Sequence, residues 1–179
     1  PAVSFSGVGL YVARNDLSHG PHCAIQGGGN DCLFEGNTIS HVSFECTDTG
    51  AFYVGRSWAQ RGNVARFNTF DRVRPTERLA QAGGVSQNAF YLDDQMSGWD
   101  VYGNTFKNSS TGLLLGGGRH NRVHANHFEG NDRDIAFDDR GLSWQSESCA
   151  HNCTETTTSC FRYTLDQMNY TSPPYATAY

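Results

Sequence analysis

Apolar residues in this chain come in short bursts, one to four at a time, between polar turn residues, and the bursts recur in register. An asparagine is followed two places later by an apolar residue at Asn15 with Leu17, Asn37 with Ile39, Asn68 with Phe70, Asn104 with Phe106 and Asn126 with Phe128. The steps between these asparagines are 22, 31, 36 and 22 residues, so a base period appears twice and the longer steps carry insertions. The larger insertion (72–87) contains Pro75, Glu77 and Gly83-Gly84 and reads as a surface loop. A second strand repeats in the same register. Ala89 to Asp94 aligns with Gly112 to Gly117 and with Asp134 to Asp139, and Gly50 to Gly55 and Cys23 to Gly28 are the earlier copies.

A strand of so few residues cannot bury its face alone. Stacked about 4.8 Å apart, it pairs with like strands above and below. The pattern predicts an all-β fold: a right-handed parallel β-helix (a solenoid) of about five to six coils, with Phe70, Phe106 and Phe128 as an inward ladder. The asparagines are expected at a turn along one edge, because asparagine tolerates left-handed backbone angles and its amide can bond the stacked turn. No amphipathic helix is expected. The coils should fill residues 1–145. Residues 146–179, rich in Cys and Thr and containing Pro173-Pro174, should form an extended tail packed on the outside. Neither end reads as a cap, and Pro1 follows no signal segment, so the chain is expected to be a fragment of a longer helix.

Composition narrows the function. With 20 glycines and only 17% charged residues, the chain does not suit a helical bundle. A net charge of −5, with Lys107 the single lysine, argues against a nucleic-acid partner, which needs a basic stripe. No run of about 18 apolar residues is present, so no membrane span is expected. Three Asn-x-Ser/Thr sequons, at Asn108, Asn152 and Asn169, accompany six cysteines: Cys23, Cys32, Cys46, Cys149, Cys153 and Cys160. Together they predict a secreted, extracellular glycoprotein with most cysteines in disulfides. Cys23 and Cys46 could bridge neighbouring coils, Cys32 competes for either, and the last three cysteines are close enough for one local pair.

The strongest candidate for chemistry is vertical. Asp93-Asp94, Gly116-Gly117 and Asp138-Asp139 occupy one register on three coils. Adjacent strand residues point to opposite sides, so one carboxylate of each pair should face out. Two coils apart, these carboxylates would lie about 9–10 Å from each other. An inverting glycosidase wants roughly 6.5–9.5 Å between its acid and its base. The glycines between would leave a bare floor for a sugar ring. Asp93, Asp94, Asp138 and Asp139 are thus the candidate catalytic residues. Asp48, Tyr53, Arg56, Arg119 and Arg140 are the candidate substrate-binding residues, the arginines suited to a carboxylated or sulfated sugar. Tyr91, Trp58 and Trp144 could stack on sugar faces. Against this stands a structural reading. Aspartate and glycine end strands in any case, and Asp–Arg pairs brace turns. An oxygen-rich cluster also invites calcium, with no other cofactor expected.

The segments Leu17 to His22, Glu45 to Arg56, Tyr91 to Asp94, Gly116 to Asn121, Asp138 to Trp144 and Tyr170 to Tyr175 resemble the right-handed β-helix repeat proteins of the pectate-lyase-like superfamily. Members act on polysaccharides as lyases, hydrolases or epimerases, and some are non-catalytic. The resemblance therefore implies a polysaccharide or glycan partner without fixing the reaction. It departs at Ser57, where such proteins often carry an acid after Gly-Arg, and this favours a non-catalytic role. The leading expectation is a glycoside hydrolase using paired aspartates. The alternatives are a non-catalytic glycan-binding or structural glycoprotein, and a polysaccharide lyase.

Overall fold

A computed structural model describes residues 1–83 and 86–146, together with Phe161 and Leu165. The strands in chain order are β1 (Val3–Val8), β2 (Tyr11–Ala13), β3 (Asp16–Ser18), β4 (Ile25–Asn30), β5 (Leu33–Glu35), β6 (Thr38–Ser40), β7 (Thr49–Gly55), β8 (Asn63–Arg66) and β9 (Thr69–Asp71). A short helix α1 (Glu77–Ala82) follows. Then come β10 (Gln87–Asp93), β11 (Trp99–Tyr102), β12 (Thr105–Lys107), β13 (Thr111–Gly116), β14 (Arg122–His124), β15 (His127–Glu129) and β16 (Arg133–Asp138). Every third strand joins the same sheet. The first sheet has the order β1-β4-β7-β10-β13-β16, the second β14-β11-β8-β5-β2, and the third β15-β12-β9-β6-β3. All pairings are parallel. The protein is therefore all-β, with three parallel sheets of stacked strands.

Three corners separate the strands of each repeat, and each corner is a column through the stack. Register places Leu10, Cys32, Asn63, Trp99 and Asn121 at the first corner. The second holds Asn15, Asn37, Asn68, Asn104 and Asn126, and the third holds Gly20, Val42, Val73, Ser109 and Asn131. Five residues separate the first corner from the second, and the second from the third, in every repeat. From the third corner to the next first corner the spacing is 12, 21, 26 and 12 residues. All variation in repeat length thus falls on the first-sheet side.

The second corner is an amide ladder. Asn15 Nδ2 donates to Asn37 Oδ1 (2.9 Å), Asn37 Nδ2 to Asn68 Oδ1 (2.9 Å), Asn68 Nδ2 to Asn104 Oδ1 (3.0 Å) and Asn104 Nδ2 to Asn126 Oδ1 (3.0 Å). Each Oδ1 also accepts the backbone N–H of the asparagine one repeat earlier. The expected left-handed angle does not fall on the asparagine. It falls on the residue before it: Arg14, Gly36, Phe67, Gly103 and Ala125, with φ between 51° and 65°. The other corners do the same, through Gly9, Asp31, Gly62, Gly98 and His120, and through His19, His41, Arg72, Asn108 and Gly130. The left-handed residue turns the chain, which frees the next side chain to bond inward along the stack.

Side chains from all three sheets meet in one core. Phe52 and Phe90 stack at 4.5 Å, and Phe34 meets Phe52 edge-on at 4.8 Å. Phe70 and Phe106 are fully buried and stack at 5.1 Å, and Phe106 stacks on Phe128 at 5.1 Å. The inward phenylalanine ladder is therefore present, with Phe128 partly buried at the last repeat. The copy at Gly50 to Gly55 pairs one place off the simplest alignment, since Gly50 faces Asn88 and Gly55 faces Asp93.

Two local expectations are corrected. The 72–87 insertion is not all loop: it contains α1, capped by Thr76 Oγ1 accepting from the Leu79 N–H. None of its residues is buried, so it has no apolar stripe for a periodicity reading to find. In the tail, Phe161 and Leu165 are helical and buried rather than extended, and the Phe161 ring stacks on Trp58 at 5.5 Å; residues 147–160, 162–164 and 166–179, on which the rest of that expectation falls, lie outside the described residues. Among the described residues no helix is long and apolar enough to cross a membrane.

The expected bridges of Cys23, Cys32 and Cys46 are not formed; all three are thiols. Cys32 sits at the first corner, its Sγ directed at the Asn30 and Gly7 carbonyls, away from the third-corner region that holds the other two. Cys23 Sγ contacts Thr49 Oγ1 and Cys46 Sγ contacts the Pro21 carbonyl, each at 3.3 Å. Cys149, Cys153 and Cys160 lie outside the described residues.

The ladder predicts a gradient of mutational cost. Asn68→Ala removes the bonds that its amide makes to the buried Asn37 N–H, to Asn37 Nδ2, which keeps the Val12 carbonyl, and to the Phe34 carbonyl. Urea unfolding should show a loss of about 2–4 kcal/mol. Asn15→Ala, at the exposed end, should lose less than about 1 kcal/mol. Equal losses at the two positions would show that the ladder does not carry the load.

Candidate functional site

The first-sheet strands finish in a shared bend. Asp93 lies beside Gly55 in one neighbour and beside Gly116 in the other, and Gly116 faces Asp138. One place further along, Arg56, Asp94 and Gly117 all take left-handed angles, with φ of 67°, 39° and 78°. Glycine does this freely, whereas a residue with a Cβ loses roughly 1–2 kcal/mol there. The bend also defeats simple alternation. With Asp94 left-handed, the side chains of Asp93 and Asp94 reach the same guanidinium instead of opposite faces.

That guanidinium belongs to Arg140, which is 6% exposed. Its Nη1 donates to Asp93 Oδ1 and to Asp94 Oδ1 (3.1 Å), its Nε to Asp138 Oδ1 (2.7 Å), and its Nη2 to Asp138 Oδ2. Asp93 also accepts from the Tyr53 hydroxyl at 2.6 Å. Asp94 pairs with Arg56 at 2.7 Å and accepts from Gln145 Nε2. A Cβ on Gly116 would stand 2.6 Å from Arg140 Cζ. The glycine floor expected to receive a sugar ring therefore receives the guanidinium.

The electrostatics follow from this packing. The hydrogen bonds from Arg140 hold the Asp138 carboxyl below the usual carboxylate range, against the opposing effect of partial burial. Burial, and then the bond to Asp93, push the Tyr53 hydroxyl well above its ordinary value. Tyr91 is raised in the same sense, by burial and by the Asp93 charge. A general acid must hold its proton at working pH, and Asp138 is shifted the other way.

The remaining candidates divide. Tyr53, Arg56 and Arg140 join Asp93, Asp94 and Asp138 in one network. Asp48 does not extend the acid column, because it precedes Thr49 at the opposite end of β7, and it instead accepts from the Tyr91 hydroxyl at 3.2 Å. Asp139 is exposed and accepts from Ser143 Oγ at 3.1 Å. Arg119 lies with its guanidinium 3.6 Å above the Trp58 ring, whose burial between Arg119 and Phe161 leaves little ring surface for a sugar. Trp144 is exposed, 5.5 Å from the Arg140 guanidinium. Asn152 and Asn169 lie outside the described residues.

Beside the network is a cleft of about 380 Å³ lined by Trp58, Gln95, Arg119, Asp138, Asp139 and Leu142 among others. Gln95 in the cleft wall and Gln145 in the network beside it were not legible in the sequence. Gln95 follows Asp94 within the bend, and its Nε2 donates to Gln145 Oε1 at 3.2 Å, a contact that no repeat position signals. Among the described residues no group of three or more His, Cys, Asp or Glu side chains is arranged to hold a metal ion. The cations among the aspartates are Arg140 and, on Asp94, Arg56. The chain matches no family profile, no curated protein and no solved structure.

Two outcomes test this description. A carboxyl whose folded pKa is depressed stabilises the fold above its unfolded value and loses that contribution as pH falls through the folded one. Asp138→Asn should therefore lower Tm at neutral pH, and its curve should meet that of the wild type below the ordinary aspartate value of about 3.9. Gly116→Ala should expel the guanidinium and lose about 2–4 kcal/mol, and Arg140→Ala should lose a similar amount. The double variant should lose little more than either single change, and additive losses would separate the glycine from the arginine.

Proposed function

We propose that the three sheets close into a right-handed parallel β-helix of the pectate-lyase-like kind, and that the protein is an extracellular glycoprotein binding a polysaccharide at the first-sheet edge without cleaving it through Asp93 and Asp94. The Arg140 hub carries the non-catalytic reading. One guanidinium engages three of the four aspartates considered for acid–base chemistry, and two of those are buried beneath it. What remains open to a ligand is the adjoining cleft, with the Arg119 cation, the Asp138 and Asp139 carboxylates, Gln95, and the exposed Leu142 at its border. Sugar recognition commonly joins such polar groups with a patch of apolar surface.

An extracellular setting is supported by the three sequons; Cys23 and Cys46, which were expected to bridge, are thiols. Burial pushes the Cys46 thiol up, and the neighbouring Cys23 adds to the shift. A second reading, hydrolysis through Asp138 and Asp139, is favoured by one fact: both border the cleft. In it, Asp138, held ionised, serves as the base and Asp139 as the acid. Lyase chemistry through a lysine has less support, since Lys107 sits on the third sheet, 4.0 Å from Asp71.

Affinity electrophoresis of the whole chain in gels of neutral and acidic polysaccharides separates these readings. Retardation by an acidic polysaccharide is expected, with Arg119→Ala weakening Kd about tenfold or more, the size of a charge-assisted hydrogen bond. No reducing ends or unsaturated uronates should appear. Release of reducing ends that disappears in Asp138→Asn would replace the binding reading with the hydrolase.

A further inference from the structure

A different face holds a second cleft. The left-handed column of the third corner runs His19, His41, Arg72, Asn108 and Gly130 through successive repeats. The His19 and His41 rings stack at 4.9 Å, only 6° from coplanar. With Phe44, Arg72, Arg74 and Asn108 they line an open cleft of about 630 Å³ that has no carboxylate in its wall. Asn108 is both a wall residue and the first residue of the sequon Asn108-Ser109-Ser110. Building on the extracellular reading, we infer that Asn108 carries an N-linked glycan whose first 2-acetamido sugar rests in this cleft.

Three features of the corner fit this. Asn108 is exposed and left-handed, while Ser109 beside it is fully buried, its Oγ donating to the Lys107 carbonyl and its N–H bonded to Asn131 Oδ1. The corner thus turns the Asn108 amide outward while anchoring the residue after it. The amide is also held in place, because Nδ2 donates to Asp71 Oδ1 at 3.0 Å. A primary amide nitrogen has two hydrogens. In glycosylation by a lipid diphosphate-linked oligosaccharide, Nδ2 gains a bond to the anomeric carbon and loses one proton. The anomeric C–O bond breaks, and the lipid diphosphate leaves with the electron pair. The second N–H survives, so the Asp71 bond survives and fixes the direction in which the sugar leaves the backbone. Finally, the wall suits that sugar. The Phe44 ring and the stacked imidazoles offer flat faces to its C–H groups, and the Arg72 and Arg74 guanidinium groups offer donors to its acetamido carbonyl and hydroxyls. Both arginines are already steadied by carboxylates outside the wall, Arg72 by Asp71 at 2.9 Å and Arg74 by Asp132 at 2.6 Å.

The test uses the whole chain secreted from a eukaryotic cell. Peptide mass spectrometry should find Asn108 occupied. Trimming the glycan to its first sugar should leave Tm unchanged, and Ser110→Ala, which prevents attachment and leaves an unmodified Asn108, should lower it by about 2–4 °C. In a Phe44→Ala background, or in His41→Ala if the first variant does not fold, adding Ser110→Ala should no longer shift Tm. An occupied Asn108 whose loss through Ser110→Ala shifts Tm equally with and without Phe44 would overturn the seat in the cleft. A bare Asn108 with sugar at Asn152 or Asn169 would overturn the inference and leave the extracellular reading intact. Three bare sequons with free thiols throughout would overturn both.

Discussion

Asparagine carries a donor and an acceptor on one flat group, and the second corner of every repeat uses both. The amide nitrogen reaches the next amide oxygen, and that oxygen also receives the backbone N–H of the asparagine one repeat earlier. A corner must leave its backbone groups without strand partners, and groups so buried need satisfaction from somewhere. The ladder supplies it from side chains spaced at the strand separation. Strand stacking and corner bonding are therefore one constraint. Shifting a repeat by a single residue would carry its asparagine off the column and its phenylalanine out of the core together.

That constraint explains where the molecule tolerates irregularity. Two sheets hold a fixed five-residue spacing, and the longer first-sheet side absorbs both insertions. The irregular side is also where charge is buried. An isolated ion in such a place would be strongly disfavoured, and a bare ion pair gains little net stability. Arg140 meets this with several partners at once, and its carboxylates hold others in turn: Asp93 takes Tyr53, and Asp94 takes Arg56 and Gln145. The strained angle at Asp94 persists because so many bonds determine it.

Much of the architecture was legible in the sequence because the repeat makes local chemistry recur. The asparagine column, the phenylalanine ladder and the alignment of Asp93, Gly116 and Asp138 all follow from spacing. The left-handed residue was misassigned because its identity varies, from Arg14 to Gly36 to Phe67, while the asparagine after it does not. Asp48, expected beside the substrate, stands at the opposite end of β7 from Asp93, a separation that residue type alone does not show. The main misreading was of empty space. A glycine in a sequence shows room, but not what fills it. Arg140 follows the last strand of its sheet and stands 47 residues from Asp93, so no period links the two. Helix α1 escaped notice because a surface helix with no buried face leaves no hydrophobic rhythm.

The constant spacing of two sides has a consequence for how such a chain can change. A single residue added between the first and third corners would push the turns after it out of their columns. The same residue added on the remaining side meets only a loop. Those two sides act as a spine whose length natural variation or an engineer must keep, though its letters change from repeat to repeat. The third is a cassette, which takes segments of different length twice in this chain. New binding chemistry could enter this protein by replacement there, with the spine left untouched.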